Sequence, residues 1–142
     1  MLASTEQFLA YLNANKLKYD YTEPEDDDKK DVVVVRFTGH NLSTITVQFF
    51  FSTDGEDAAI RVFDLFKVPE DRHDKIYKAL NEQNNAFRFV KFCFDENDNT
   101  VQMEMDAAFR ENDVGDICGE LLFRSVELCD KAYPAFMQAL WA

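Results

Sequence analysis

The chain has 142 residues, 46% apolar and 30% charged, with a formal net charge of −12. That length fits one domain over residues 1–142, large enough to bury a core without a disulfide or metal, and the composition excludes a disordered chain. Without a Lys/Arg cluster, the negative charge argues against nucleic acid or an anionic membrane as partner, since phosphate contact needs grouped cations.

The elements follow in chain order. Ser4-Thr5-Glu6-Gln7 reads as a capping box opening a helix, in which Ser4 and Gln7 satisfy the first turn. Phe8, Leu9, Tyr11 and Leu12 give that helix its apolar face, and it should end near Asn15. Lys18–Thr22 alternates as a strand, and Glu23–Asp31 is a charged loop. Asp31–Thr38 is a β-branched strand, Gly39-His40-Asn41 a turn, and Thr44–Ser52 a strand with Ile45, Val47, Phe49 and Phe51 on one face. Asp54-Gly55 marks the next turn. Along Ala58–Phe66 the apolar positions change parity, so either a bulge lies near Phe63 or both faces are covered there.

Val68-Pro69-Glu70-Asp71 reads as a helix entrance, with Ile76, Tyr77, Leu80 and Asn84 following at helical spacing and Asn84-Asn85 as the stop. Phe87–Phe94 and Val101–Ala107 form a hairpin, with Val101, Met103 and Met105 on one face and Gln102, Glu104 and Asp106 on the other. Asn112 should cap a last long helix whose stripe runs Val114, Ile117, Cys118, Leu121, Ser125, Leu128, Cys129. Pro134 marks a break or a fresh first turn, before an apolar tail of Phe136, Met137, Leu140 and Trp141. The order is αββββαββα. It predicts an α+β fold, a mostly antiparallel twisted sheet with helices mainly on one face.

Little in the chain points to chemistry. Asp95, Asn97 and Asn99 fall at positions 1, 3 and 5 of a calcium loop and Asp106 at position 12, but Thr100 stands where that loop needs Gly, and strands flank it. A hairpin turn is the expectation. The acidic run in Glu23–Asp31 reads as a solvated loop relieved by Lys29 and Lys30. His40 and His73 lie in no metal or nucleophile motif, and Ser125 should bond backward along its own helix. Cys93, Cys118 and Cys129 are an odd count without CxxC spacing, which argues against a disulfide framework or a zinc site and for small core groups. The start, MLASTEQF, lacks a basic, apolar leader, and no 18-residue apolar run exists, so a cytoplasmic protein is expected. No catalytic residue, metal or cofactor is assigned.

One feature favours binding. Val32 and Val34 oppose Val33 and Val35, and Phe50 sits between Phe49 and Phe51. Phe87 and Phe89 oppose Val90, Phe92 and Phe94, and Phe123 lies opposite the last helix's stripe. Either the first helix and the tail cover a second sheet face, or a dimer or partner does.

Val68-Pro69, Leu80-Asn81-Glu82-Gln83-Asn84-Asn85, the Phe87-to-Phe92 strand, the Val101–Met105 strand and Tyr133-Pro134 together resemble the YbjN-like family of bacterial sensory transduction regulators. That family is similar in fold to the class I type III secretion chaperones. The resemblance implies a non-enzymatic, often dimeric, protein-binding or regulatory domain with no catalytic residues to carry over. The expected partner and dimer surface is Phe50, Phe87, Phe89, Phe123 and Trp141. A partner would add a strand at an edge or lay an amphipathic helix on that surface. The alternative is a small-molecule sensor with an apolar pocket lined by Phe92, Met103 and Met105, and a third, weaker reading is an acid-dependent hydrolase.

Overall fold

The computed structural model describes residues 1–26 and 29–142. Asp27 and Asp28, part of the expected acidic loop, lie outside the described residues. The elements are α1 (Ala3–Ala14), β1 (Asp20–Thr22), β2 (Asp31–Phe37), β3 (Ile45–Phe51), β4 (Asp57–Lys67), α2 (His73–Ala86), β5 (Lys91–Asp95), β6 (Thr100–Ala108) and α3 (Val114–Trp141), with a short 3-10 turn at Glu70–Arg72. The expected order therefore holds. The six strands form one antiparallel sheet in the order β1-β2-β3-β4-β6-β5.

Alternation fixes which side of each strand is buried. Val33 and Val35, then Ile45, Val47, Phe49 and Phe51, then Ala58, Ile60 and Val62, and Val101, Met103 and Met105 all face the core. All three helices cover that same face. Phe8 of α1 packs on Phe49 and Phe51 at 4.4 and 5.8 Å between ring centroids. His73 and Tyr77 of α2 meet Phe94. Phe136 of α3 meets Phe66 and Phe92 at 5.1 and 5.2 Å. The apolar tail thus docks here too, through Phe136 and Leu140. A register shift lies between Val62 and Phe66, with Asp64 in the left-handed region at φ 49°, which places the expected bulge around Phe63.

Five local expectations are corrected. The Ser4 capping box does not form: α1 starts at Ala3, and the Ser4 hydroxyl is buried without a partner. Asp31 of β2 does that work instead, accepting from the Leu2 N–H at 2.8 Å and the Thr5 hydroxyl at 2.7 Å. Asn84 and Asn85 do not stop α2, which runs on to Ala86, because the Asn84 amide is engaged by β5. β5 in turn begins at Lys91, leaving Phe87 to Val90 as a connection. Asn112 lies one residue outside the cap of α3, with φ 60°, and Asp113 takes the cap position while accepting from the Arg110 N–H. Pro134 neither breaks nor restarts α3, which continues from Val114 to Trp141, because the carbonyl that Pro134 cannot serve has another donor in Asn41.

Candidate functional site: the open face of the sheet

With every helix on one side, the other side of the sheet carries no helix. Its rows can be read from the register. Thr22, Val32, Phe50, Ala59 and Asp106 lie side by side across five strands, and Asp20, Val34, Gln48, Arg61, Glu104 and Lys91 form the next row across six. The β2–β3–β4 part is apolar: Val32, Val34, Phe50 and Ala59 are half-buried, and Phe63 is 44% exposed with its ring edge-on to Phe50 at 6.2 Å. Among the described residues no strand or helix lies over this group, so it is shielded by its own neighbours.

The β4–β6–β5 part is charged and internally paired. The Arg61 guanidinium donates to the Met105 carbonyl at 2.8 Å and to the Asp106 carboxylate at 3.1 Å, and it lies 3.5 Å from Glu104. Lys91 approaches Glu104 from the far side at 3.8 Å. Burial alone would push the Glu104 carboxyl up. Bonds from Gln102 and Cys93 and the two cations outweigh it and hold the group below the usual carboxylate range. Burial and then the bond to Glu104 push the Cys93 thiol up, so Cys93 is a protonated thiol at neutral pH.

The five residues singled out from sequence do not converge on one patch. Phe50 lies on the open sheet face. Phe87 and Phe89 lie on the helix side, in the α2–β5 connection, with Lys131 over Phe87 at 5.9 Å and Arg124 over Phe89 at 4.7 Å. Phe89 is 59% exposed and has φ 72°, a costly backbone state for an aromatic residue. Phe123 projects from the outer side of α3 with its ring edge-on to Phe37. Trp141 ends α3 beneath the Arg72 guanidinium, 5.1 Å from the ring centre. Sequence reading missed Phe63 and Arg61 as members of the open face. Their signal was present in the alternation of β4 and in the polar run Gln102, Glu104, Asp106.

Phe92, Met103 and Met105, proposed from sequence as pocket-lining, are core side chains at most 3% exposed. Phe136 fills the space beside Phe92, and the Ser125 hydroxyl lies 3.7 Å from the Met105 sulfur while bonding back to the Leu121 carbonyl. The Asp95–Thr100 segment is a turn bonded within itself, with Asp95 accepting from the Asn97 N–H and Asp98 from Thr100. Among the described residues no three His, Cys, Asp or Glu side chains are grouped to hold a metal ion, and no helix is long and apolar enough to cross a membrane.

Comparison with known proteins agrees with this architecture. The profile of the YbjN family, described as "Putative bacterial sensory transduction regulator", matches residues 4–138. The chain belongs to that family. No curated protein sequence matches it. Among solved structures it is similar to the ExsC–ExsE complex, with TM-score 0.51 and 14% identity over 99% of this chain and 96% of the other. It is equally similar to YbjN from E. coli, a putative transcription regulator by its description, with TM-score 0.51 and 11% identity over 98% and 94%. A lower similarity, TM-score 0.44 at 18% identity over 89% and 94%, relates it to the ExoU–SpcU complex of the Pseudomonas aeruginosa type III secretion system. The family expected from sequence is present, and so is the α+β fold, which is shared with the ExsC–ExsE complex and with YbjN from E. coli.

Proposed function

We propose that this chain is a non-enzymatic protein-binding domain, chaperone-like or regulatory in role, that works in the cytoplasm and pairs with a second copy of itself. The observation that carries the reading is the one-sided sheet. A single helix layer leaves Val32, Val34, Phe50, Ala59 and Phe63 uncovered, and contiguous uncovered apolar surface is characteristic of interaction sites. Family membership supports a regulatory role. The fold is shared with a protein solved in complex with another protein, which supports partner binding. An amphipathic segment or a second sheet would cover the apolar rows, while the paired charges around Arg61 stay at the rim. Phe87, Phe89, Phe123 and Trp141 form further contact points on the helix side.

Phe50→Asp and Phe123→Asp test the reading, with light scattering for solution mass and capture of partners from the native cell. Phe50→Asp is expected to lower the mass and lose the captured partner while the fold melts normally. If both variants keep the mass and the partners of the parent, the reading fails. A small-molecule sensor would instead have to open the core beside Phe92, Met103 and Met105, and a metabolite that raises the melting temperature would favour it.

A further inference from the structure

Strand β5 is one edge of the sheet, and its outer side is not bare. The Asn84 side chain accepts from the Phe92 N–H at 2.7 Å and donates to the Phe92 carbonyl at 3.1 Å. One carboxamide thus makes the pair of bonds that a neighbouring antiparallel strand would make. The tether is local. Leu80 is the last buried residue of α2, and Asn81, Glu82, Asn85 and Ala86 are exposed. Within the final turn of the helix, Asn84 is the residue whose side chain bonds the sheet.

The edge it covers is self-complementary. Because Phe92 points its backbone outward, Phe94 does so as well, and Cys93 points inward to β6. A second β5 laid antiparallel and centred on Cys93 would set Phe92 opposite Phe94 as a hydrogen-bonded pair. Lys91 would stand opposite Asp95 twice, on the open face of the joined sheet. Opposite charges directly across a strand pair are favourable, and like charges are not. Cys93 would face its own copy across a non-hydrogen-bonded position, where the Cα atoms lie about 4.5 Å apart. We propose that β5 is a strand-pairing surface for a second copy of this chain, and that Asn84 holds it closed. When the last turn of α2 releases, two sheets join edge to edge. This goes beyond the partner-binding reading and is read by a different signal, so the two can fail separately.

The experiment is oxidative crosslinking of Cys93 with copper–phenanthroline, which takes up the two electrons as two thiols lose their protons and form one disulfide. Cys118 and Cys129 are fully buried and stay silent. The parent is expected to remain uncrosslinked and Asn84→Ala to give a covalent dimer on a non-reducing gel. Adding Asp95→Lys, which sets Lys against Lys, should reduce that dimer several-fold, and adding Cys93→Ser should remove it. Equal crosslinking of parent and Asn84→Ala overturns the proposal, as does a folded Asn84→Ala that does not crosslink. A measurement on the parent keeps the idea testable if the variant misfolds. The Phe92 amide should exchange with deuterium far more slowly than the edge amide of Phe94, and equal rates overturn the guard role.

Discussion

Asn41 supplies the hydrogen bond that Pro134 withholds. Proline lacks the N–H that would reach back four residues to the Asp130 carbonyl, and the Asn41 side chain donates to that carbonyl at 3.0 Å. The β2–β3 loop therefore repairs α3 from outside. Asn41→Ala should cost about 1 kcal/mol in the parent. In a Pro134→Ala background it should cost clearly less, since an alanine N–H restores the helical bond. Denaturant melts of the four proteins measure this, and strict additivity would rule the repair out.

The same aspartate should make the protein acid-sensitive. Asp130 accepts backbone N–H bonds from Leu42, Asn41 and His40, and Asp31 accepts from Leu2, Thr5 and Tyr21. In each, burial pushes the carboxyl up, but the hydrogen bonds prevail and leave it below the ordinary 3.8. Folded values beneath unfolded ones mean stability that is full above pH 3.8 and is lost as pH falls through the folded values. The melting temperature should stay level down to about pH 5 and drop below about pH 4. Asp130→Asn should melt lower at pH 7 and fall less steeply in acid. Parallel curves for variant and parent would contradict this.

Gly39 is constrained by the same carboxylate. A Cβ there would stand 2.3 Å from Asp130 Oδ1 and 3.0 Å from the Leu42 carbonyl oxygen. The carboxylate cannot step aside without leaving three N–H groups unpaired. Gly39→Ala should therefore destabilise by roughly 2–3 kcal/mol, on the order of losing hydrogen bonds to a charged group. Asp130→Ala should remove most of that penalty when the two are combined, as thermal melts can show.

Phe89 offers a test of strain. Its left-handed backbone costs about 1–3 kcal/mol, set against a stack with Arg124 of about 0.5–1 kcal/mol. Phe89→Gly should leave stability unchanged or slightly raised, despite removal of a large apolar side chain. A loss above about 2 kcal/mol would show that the ring is a packing element.

Much of this architecture was legible in the sequence where a single buried face imposes period two. Ile45, Val47, Phe49 and Phe51 face the core as their spacing requires, and so do Val101, Met103 and Met105. The parity change at Phe63 located the bulge for the same reason. Distant partners decided what could not be read. Ser4 and Gln7 satisfy a local capping pattern, yet Asp31 displaces it from another strand. Pro134 reads locally as a break, and only the folded position of Asn41 explains its tolerance. Asn84 looks like a helix stop because its role is to bond a strand that follows the helix. The open face was legible as an excess of apolar positions, but which side the helices would choose was not.

The one-sided sheet has a consequence for variation along β2 and β3. Val33, Val35, Phe49 and Phe51 answer to packing, whereas Val32, Val34 and Phe50, one residue away, answer to whatever meets the open face. A deep mutational scan should therefore split each strand into two interleaved sets. Odd-numbered positions would govern abundance, and even-numbered positions would govern association at nearly constant abundance. Neighbouring residues in one strand would then belong to separate selective histories.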